Sequence, residues 1–486
     1  MSSPIRQLEP ESLWNYFADI NAVPRASKKE ERIIQHMVDF GKSLGLETLT
    51  DDTGNVIIRK PATPGMENRK QIILQSHLDM VHQKNNDTDF DFDKQGIDMY
   101  IDGDWVKAKG TTLGADNGIG VATIMTILSA NDIVHPAIEA LFTIDEETGM
   151  TGALGLQGNL LQGQILLNLD TEEDDEIDIG CAGGLDVTAT RNYNTEKINV
   201  AAHRGMQITV KGLQGGHSGI DIHLGRGNAN KIMNRLLFGH EDTGMRFASF
   251  AGGSLRNAIP RESSAVIAVP TENFKAFQNK LEALIHDIKT EYKSLESQLM
   301  IEITETGSPE TVATKDDQTA IIYAIYAAHN GVFRMSPDIE DLVEASNNVA
   351  CIEIKDGKAK VLCLTRSSVE SSKTDVAQSL QAAFSLGGFD VAFSGAYPGW
   401  TPNVDSPILK VLTTIYEQLH GEKAKVVACH AGLECGILGR NYPGLDMISY
   451  GPTIKGAHSP DERVSISSVQ KFWNYTLEIL KQIPER

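Results

Sequence analysis

Four short, largely apolar runs in this sequence each lead directly into side chains that can bind a metal ion. The runs cover residues 72–74, 140–143, 165–169 and 447–450, and their length and composition predict buried strands of a mostly parallel sheet. In an open α/β sheet, ligands bind in the crevice outside the carboxyl ends of the strands. We therefore predict an α/β fold in which separate strand ends bring these side chains together. The candidate side chains are His77, Asp116, Glu146, Glu147, Asp170 and His458.

Length and composition limit the class of protein. A chain of 486 residues is too long for one compact core and predicts two or three domains. Hydrophobic residues make up 41% and charged residues 22%, which is typical of a globular protein in water. The formal net charge of −21 argues against nucleic acids and anionic membranes as partners, because both are polyanions.

The sequence predicts a cytoplasmic enzyme. Residues 1–10 contain no apolar core of a signal peptide, and no apolar run approaches the length needed to cross a bilayer. The 5 cysteines are an odd number without a C-x-x-C pair. This usage favours reduced thiols over a disulfide framework or a thiolate zinc site.

The order of the predicted elements indicates one domain interrupted by another. Helix and strand patterns alternate as far as residue 170, change after residues 181–184, and return to the first pattern from residue 397. We predict a discontinuous catalytic domain of residues 1–186 and 397–486, with an inserted α+β domain of residues 187–396. All candidate metal ligands flank the insert, so the outer segments would carry the catalysis.

The insert itself is predicted to contain two successive α+β units. Residues 258–269 read as one strand, and Asp356-Gly357 predicts a tight hairpin turn. The acidic run at residues 172–176, before the insert, is predicted to be a solvated loop without a chemical role.

Taken singly, each candidate ligand has an ordinary explanation as a solvated loop residue or a helix cap. Together they offer oxygen and imidazole atoms without a thiolate, which favours a catalytic zinc pair, with manganese or cobalt as substitutes. Glu146 and Glu147 follow one strand directly, where like charges raise each other's pKa unless a cation neutralises one of them. Asp79, two residues after His77, can accept the remaining N–H of that imidazole.

These residues resemble the family of co-catalytic di-zinc metallopeptidases, which includes dipeptidases, tripeptidases, carboxypeptidases and N-acyl-amino-acid deacylases. The family pattern of H-x-D, D, E-E, D or E, and a distant H is met in full, and the resemblance covers essentially the whole chain. It implies a di-zinc catalytic domain with a central mixed, mostly parallel sheet, and an inserted α+β lid made of two related units. Members that cleave Xaa-His dipeptides share similar motifs, at residues 110–118, 215–219, 256–262, 430–436 and 451–460.

The resemblance implies roles for the metal-site residues. The ligands of one zinc ion would be His77, Asp116 and Asp170, and those of the other Asp116, Glu147 and His458. Glu146 would be the general base that takes a proton from the attacking water and returns it to the leaving amine. Asp79 would orient the imidazole of His77. A cis peptide bond is also implied between Asp116 and Asn117.

Four further residues are assigned to the substrate by the same resemblance. His217 would stabilise the oxyanion, Asn257 and Arg366 would bind the C-terminal side of the substrate, and Glu434 would bind its amino group. The residues alone leave alternatives open. His217 lies in a glycine-rich turn that could be purely structural, and Arg366 could be an exposed arginine on a sheet edge.

The function that follows is hydrolysis of a small Xaa-His dipeptide, such as β-alanyl-histidine (carnosine), by two zinc ions and a glutamate base. One alternative is a deacylase or carboxypeptidase of the same family, although such members usually carry Glu in place of Asp170. A non-catalytic metal-binding protein is a second alternative, opposed by the intact ligand set and Glu146. Because the insert is long enough for two lid units, we expect His217 to serve its own chain, even in a homodimer.

Overall fold

The computed structural model of the protein describes residues 4–85 and 87–486. Its helices are α1 (Glu11–Asn21), α2 (Glu31–Ser43), α3 (Ala115–Ser129), α4 (Thr151–Gly155), α5 (Ala229–Leu237), α6 (Phe274–Glu291), α7 (Lys315–Ala327), α8 (Glu370–Leu386), α9 (Pro407–His420), α10 (Glu434–Asn441) and α11 (Ile466–Lys481). Short 3₁₀ helices cover Pro4–Gln7, Val200–Ala202, Ile222–Leu224 and Glu241–Thr243.

The strands are β1 (Glu47–Thr50), β2 (Val56–Lys60), β3 (Ile72–His77), β4 (Met99–Asp102), β5 (Trp105–Ala108), β6 (Ile138–Thr143), β7 (Ile165–Asn168), β8 (Glu176–Cys181), β9 (Gly183–Asn192), β10 (Thr195–Lys197), β11 (His203–Lys211), β12 (Gly216–His217), β13 (Arg246–Gly252), β14 (Ala258–Ile259), β15 (Ser263–Pro270), β16 (Met300–Thr306), β17 (Thr311–Ala313), β18 (Gly331–Met335), β19 (Val343–Lys355), β20 (Lys358–Ser367), β21 (Asp390–Tyr397), β22 (Lys425–Cys429), β23 (Asp446–Ser449), β24 (Ile454–Lys455) and β25 (Arg463–Ser465).

Internal contacts divide the chain into two compact units. The first consists of Met1–Gly180, as far as it is described, with Trp400–Ala428 and Leu433–Arg486. The second consists of Cys181–Gly399 and Cys429–Gly432. Within residues 4–85 and 87–486, no helix is both long and apolar enough to span a bilayer.

The first unit is built on a mixed eight-stranded sheet of order β1-β2-β6-β3-β7-β23-β8-β22. The central neighbours β6, β3, β7 and β23 run parallel, whereas β1, β2 and β8 pair antiparallel. Every residue of β3, β6 and β7 is buried, which explains their largely apolar sequences. The predicted α/β class with a mixed sheet is confirmed, with parallel pairing between the central strands.

Helix α3 of the first unit is buried on almost all sides. Its residues from Asn117 to Leu128 are all buried, and none of these is charged. A helix that is apolar on every face is typical of a protein interior rather than a surface. The interior position holds the first turn of α3, which contains Asp116, in a fixed place beside the sheet.

The second unit contains a nine-stranded antiparallel sheet of order β16-β11-β15-β13-β19-β20-β9-β21, with β18 paired to β19. Two β-α-β-β-α-β repeats make up this sheet. The inner repeat is β11-α5-β13-β15-α6-β16, and the outer repeat is β9-α7-β19-β20-α8-β21. In both repeats the fourth, first, third and second strands lie side by side, and the two second strands, β13 and β19, pair with each other.

The two related α+β units of the prediction are confirmed, but their order along the chain is not. The sequence predicted one unit after the other, whereas the inner repeat lies within the outer one, between β9 and α7. Local patterns identify strands and helices without identifying their pairing partners, so the nesting was not apparent. The predicted hairpin is confirmed. Asp356 and Gly357 have φ values of 52° and 76° between β19 and β20, as a two-residue turn requires.

Candidate metal centre

Two groups of potential metal ligands share the side chain of Asp116. The groups are His77, Asp116 and Asp170, and Asp116, Glu147 and His458. Within each group, one ligand atom from each residue lies within 4.8 Å of the others. The structure therefore brings together the five side chains that the sequence analysis assigned as ligands.

The two oxygens of the Asp116 carboxylate face different histidines. Oδ1 lies 3.0 Å from His77 Nε2, and Oδ2 lies 3.3 Å from His458 Nε2. His77 Nε2 is also 3.5 Å from Asp170 Oδ1, and His458 Nε2 is 2.8 Å from Glu147 Oε2. Asp116 is thus placed as a bridge between two neighbouring positions for a cation.

Strand ends explain how distant parts of the sequence meet here. His77 is the last residue of β3, and Asp170 lies two residues beyond the end of β7. Glu147 follows β6 by four residues, and β3 is hydrogen-bonded in parallel to both β6 and β7. Because these strands are parallel, their carboxyl ends lie at the same edge of the sheet.

Asp116 enters the site from the first turn of α3. Its backbone is not helical, with φ −81° and ψ 110°, and the Asp116–Asn117 peptide bond is cis, as the resemblance implied. The side chain of Asn117 donates hydrogen bonds to the Leu169 carbonyl at 2.9 Å and to the carboxylate of Asp170. These contacts connect the start of α3 to the end of β7.

The donor set fits a pair of divalent cations. The two groups offer carboxylate oxygens and imidazole nitrogens and no thiolate, which suits a catalytic zinc pair. Glu147 Oε1 is buried and, among the described residues, has no hydrogen-bond partner. A buried oxygen of this kind is costly unless a donor or a cation satisfies it. The residues present therefore support the cation at the group of Glu147 and His458.

The pKa values show how strongly these carboxylates attract positive charge. Hydrogen bonds to Asp116 and Glu147 raise the pKa of His458 to about 11. Burial opposes a charge on His77, yet Asp170 and Asp116 raise its pKa well above the ordinary value. The carboxylates stabilise positive charge on both imidazoles, as they would stabilise the charge of bound cations.

Asp79 supports the site through its carboxylate and its backbone carbonyl. Its Oδ1 and Oδ2 accept hydrogen bonds from the N–H groups of Glu146 at 3.0 Å and Glu147 at 3.3 Å. His77 Nδ1 lies 3.1 Å from the Asp79 carbonyl oxygen and 3.4 Å from its Oδ1. Asp79 thus connects the loop after β3 with the loop after β6. Burial and nearby Asp170 and Glu147 raise the pKa of Glu146 well above its usual value.

Glu434 lies in a buried polar cluster with side chains of β3 and β6, two strands that lead to ligands. Its Oε2 accepts hydrogen bonds from Gln75 at 2.7 Å and Thr143 at 2.6 Å. The residue is 0% exposed, and burial raises the pKa of its carboxyl to about 8. Its Oε1 has no hydrogen-bond partner among the described residues.

The acidic run at residues 172–176 differs from the prediction of a solvated loop. Its residues are half-buried, and Glu173, Asp174 and Asp175 form ion pairs with Lys455, Lys471 and Lys425, respectively. Burial and the neighbouring carboxylates of Asp116 and Asp170 raise the pKa of Glu172 to about 8. Lysines distant in sequence pair with three of the five acidic residues, which allows the run to be half-buried.

Two residues that support the site were missed in the sequence. Glu462 accepts hydrogen bonds from the backbone of residues 113–116, and Arg25 donates to carbonyls of the same segment and of the loop after His77. No motif marks either residue. A single charged side chain is usually an exposed one, so the sequence offers no signal that these two are buried.

In the second unit, His217 and Arg366 place two hydrogen-bond donors side by side. His217 Nδ1 accepts from the N–H groups of Gly219 at 3.2 Å and Ile220 at 3.0 Å. The hydrogen of the neutral ring therefore lies on Nε2, which is 3.5 Å from Arg366 Nη2. Two donors facing each other favour an anion as their common acceptor.

The alternative of an exposed Arg366 on a sheet edge is wrong. Arg366 is 4% exposed, and its strand β20 lies between β19 and β9 inside the sheet. Its Nη1 donates to the Tyr397 hydroxyl at 2.8 Å. Asn257 lies next to His217, in the exposed turn before β14, where its carbonyl accepts a hydrogen bond from Ser218 N–H at 2.8 Å.

His430 is a buried neighbour of this donor pair. Its Nε2 lies 2.8 Å from Ser346 Oγ. Burial, and then the nearby guanidinium of Arg366 and the imidazoles of His217 and His223, lower the pKa of His430 to about 3. The imidazole is therefore neutral at physiological pH.

Lowering the pH is expected to destabilise the protein through His430. Because its pKa is about 3 when folded and about 6.5 when unfolded, the unfolded state binds more protons between these values. The stability contribution is fully present above pH 6.5 and is lost as the pH falls from there toward 3. We expect His430→Gln to remove about 2 kcal/mol of the loss in unfolding free energy between pH 7 and pH 5, measured by denaturant titration.

Ser346→Ala is the matched control for this prediction. It removes the hydrogen-bond partner of His430 Nε2 but no titratable group. Its effect on the unfolding free energy is expected to be similar at both pH values. A pH dependence in His430→Gln identical to that of the unmodified protein would contradict a buried, neutral His430.

Two groups of carboxylates and imidazoles share one aspartate. This arrangement is that of a metal-dependent hydrolase with a paired-ion centre. The chain belongs to Peptidase family M20/M25/M40, which matches residues 73–482. It is therefore a peptidase, an enzyme that hydrolyses amide bonds. The metallopeptidase family that the sequence motifs indicated is confirmed.

Similar proteins include two that match over the full length. Cytosol non-specific dipeptidase of Escherichia coli strain K12 is 44% identical over 485 residues, which cover 100% of both chains. The crystal structure of aminoacylhistidine dipeptidase from Vibrio alginolyticus has a TM-score of 0.93 and 47% identity, and covers 100% of this chain and 99% of that one. An aminopeptidase from Bacillus cereus shares the fold, with a TM-score of 0.57, 17% identity and coverage of 98% and 99%.

Proposed function

We propose that this protein is a cytoplasmic dipeptidase that hydrolyses Xaa-His dipeptides, including β-alanyl-histidine, with the help of two zinc ions. The observation that carries the proposal is the Asp116 carboxylate, whose oxygens lie 3.0 and 3.3 Å from two different histidines. A shared carboxylate is suited to hold two cations at the short separation that paired-ion hydrolases use. The names of the Escherichia coli and Vibrio alginolyticus relatives support the dipeptide and the cytosol.

The carboxylates of the two ligand groups supply negative charge to balance such ions. His77, Asp116 and Asp170 would hold one ion, and Asp116, Glu147 and His458 the other. Manganese or cobalt could replace zinc, because the same donor types bind them. When bound, the ions lower the pKa of a water molecule and polarise the peptide carbonyl.

Glu146 is assigned as the general base. It belongs to neither ligand group, and Asp79 fixes its backbone N–H at 3.0 Å. Burial and nearby carboxylates raise its pKa. A raised pKa suits a carboxylate that takes a proton from the water and later gives it to the leaving amine. Glu147, its neighbour, is less suited because its carboxylate belongs to a ligand group.

The remaining assignments concern the two ends of the substrate. The Nε2–H of His217 is assigned to the oxyanion of the reaction intermediate. Arg366 and Asn257 are assigned to the C-terminal carboxylate of the substrate, because an anion satisfies hydrogen-bond donors of this kind. Glu434 Oε1 is the acceptor assigned to the free amino group. We assign catalysis to the first compact unit, and the lid and homodimer contacts to the second.

A panel of small amides is expected to separate this proposal from its alternatives. With the zinc-loaded protein, we expect release of histidine from carnosine, Gly-His and Leu-His at higher kcat/KM than release of leucine from Gly-Leu. Tripeptides and N-acetyl-amino acids are expected to react at least tenfold more slowly, because hydrogen bonds to a free amino group and a nearby carboxylate discriminate by such factors or more. Liquid chromatography of the released amino acids measures these rates.

Each of the other outcomes selects a different function. Preferred hydrolysis of N-acetyl-amino acids would indicate a deacylase, and release of C-terminal residues from longer peptides a carboxypeptidase. Equal rates for Gly-Leu and the histidine dipeptides would indicate a dipeptidase without preference for histidine, in agreement with the name of the Escherichia coli relative. No turnover of any member by metal-loaded protein would favour a metal-binding protein.

A further inference from the structure

The segment of residues 113–116, which presents Asp116, is held on one side by the carboxylate of Glu462. Its Oε2 accepts hydrogen bonds from the N–H groups of Leu113 at 2.6 Å and Gly114 at 2.9 Å. Its Oε1 accepts from Ala115 at 2.7 Å and Asp116 at 3.3 Å. Glu462 is 2% exposed and comes from the loop that also carries His458. One buried carboxylate thus connects the bridging aspartate with the loop of a ligand histidine.

Arg25 holds the same segment through its carbonyl groups. Its Nη2 donates to the Gly114 carbonyl at 2.5 Å, and its Nη1 donates to the carbonyls of Leu78 at 3.0 Å and Asp79 at 3.1 Å. Arg25 is 1% exposed and lies between α1 and α2. The guanidinium therefore connects the Asp116 segment with the residues that directly follow His77.

Two glycines leave room for this guanidinium. Gly114 has a φ of 72°, and a Cβ there would overlap Arg25 Nη2 and lie 2.7 Å from Met80 Sδ. A Cβ at Gly118 would lie 2.9 Å from Arg25 Nη2 and 2.9 Å from Cε2 of the buried Phe17 ring. Larger residues at either position would displace the guanidinium, so the backbone around Asp116 is shaped to accept it.

The short segment around Arg25 contacts three of the segments that carry or adjoin ligands. Asn21 Nδ2 donates to the Leu113 carbonyl at 3.0 Å, and Ser27 Oγ donates to Asp79 Oδ2 at 2.7 Å. Glu30 Oε1 accepts from Asp145 N–H at 3.0 Å. This segment precedes residues 73–482, the part of the chain that matches the peptidase family.

We propose that Arg25 and Glu462 are positioning residues that set the separation of the two metal positions by clamping the Asp116 segment from opposite sides. Arg25 fixes Asp116 against His77, and Glu462 fixes Asp116 against His458. Neither side chain belongs to a ligand group. The inference rests on the proposed paired-ion centre, and it assigns each clamp to one of the two ions.

Arg25→Lys and Glu462→Gln test the proposal through metal affinity. Lysine keeps the charge but cannot direct a planar fork at three carbonyls, and glutamine loses acceptor capacity at the four N–H groups. We expect Arg25→Lys to weaken the ion at His77 and Asp170 by about 10- to 100-fold, and Glu462→Gln to weaken the ion at Glu147 and His458 by a similar factor. Zinc titration of the metal-free protein against a chelating dye measures both affinities.

Second substitutions identify which ion is affected. In a His458→Ala background only the position at His77 retains its full ligand group, so Arg25→Lys should still weaken binding and Glu462→Gln should not. In a His77→Ala background the two results should be reversed. At saturating zinc, both single variants should lower kcat about tenfold or more with KM unchanged, because misplaced reacting groups slow chemistry without removing substrate contacts.

Glu139→Gln is the matched control for Glu462→Gln. Glu139 is also a buried carboxylate that accepts backbone hydrogen bonds, from Gln162 at 2.7 Å and Gly163 at 2.8 Å, but it lies toward the start of β6, away from the ligand end of the strand. It is expected to lower the unfolding temperature without changing either zinc affinity. If Arg25→Lys does not fold, Gly118→Ala is the second variant, because its Cβ would press on the guanidinium as well as on the Phe17 ring.

The outcomes separate the positioning role from the function it supports. Unchanged zinc affinities in both variants, or an equal loss at both positions, would overturn the assignment of one clamp to each ion. An unmodified protein that binds two zinc ions but hydrolyses no dipeptide would reject the proposed function and leave the clamps intact. An unmodified protein that binds one ion would reject both.

Discussion

Asp116→Ala is expected to bind neither metal ion tightly and to lose all measurable peptidase activity. Among the described residues, Asp116 is the one side chain that belongs to both ligand groups, so its removal leaves two ligands in each. Two ligands are fewer than the three protein side chains that catalytic zinc sites use. Metal analysis after dialysis, together with turnover at added zinc, measures the expected loss.

His458→Ala is the matched comparison for Asp116→Ala. It removes a ligand from one group and leaves His77, Asp116 and Asp170 complete. The expected result is one tightly bound ion per chain and strongly reduced turnover. Two bound ions in Asp116→Ala would show that its carboxylate is not shared, and a lost unfolding transition would require Asp116→Asn as a milder test.

Glu146→Gln is expected to keep both ions and to lower kcat by about 10²- to 10⁴-fold. Glutamine has nearly the shape of glutamate but cannot accept a proton from water. KM should change little, because the residue is assigned to proton transfer and not to substrate binding. Steady-state rates with an Xaa-His dipeptide and metal analysis of the same preparation give both quantities.

The neighbouring substitution Glu147→Gln distinguishes a base from a ligand. Glu147 Oε2 lies 2.8 Å from His458 Nε2, and Glu147 belongs to a ligand group. Its substitution should weaken one ion, and added zinc should restore part of the activity. The same recovery is not expected for Glu146→Gln. Ordinary turnover in Glu146→Gln would exclude Glu146 as the base.

The ligand set could be predicted because its positions follow from local sequence. His77 ends β3, and Asp170 lies two residues beyond β7. A buried parallel strand is a largely apolar run, and the change to polar residues marks its end. The apolar run and the ligand that follows it lie within a few residues of each other. The hairpin at Asp356 and Gly357 was equally local, because its turn type depends on those two residues.

The supporting contacts could not be predicted because they join distant parts of the chain. Glu462 accepts a hydrogen bond from Gly114 across 348 positions, and Arg25 donates to Gly114 across 89. A charged residue in sequence carries no mark of a buried partner so far away. The half-buried state of residues 172–176 has the same origin, since their lysine partners come from the C-terminal part of the chain.

One strand of the second unit shows how a single residue changes a prediction. Residues 258–269 were predicted as one strand, but β14 ends at Ile259 and β15 begins at Ser263. Pro260 has no N–H to donate to a neighbouring strand, so regular pairing stops there. A run of β-forming residues that contains proline is therefore better divided at the proline.

The nesting of the inner repeat in the outer one also orders events on the ribosome. Strand β9 is synthesised before the inner repeat, but its sheet partners β20 and β21 follow it. The inner repeat can fold as soon as β16 is complete, whereas β9 gains its first partner strand only when Ser367 has been added and its second only when Tyr397 has been added. Unpaired strand edges promote aggregation during synthesis. Translation that stops between β16 and β21 would therefore release a chain in which the inner repeat is folded and β9 has an unpaired, aggregation-prone edge.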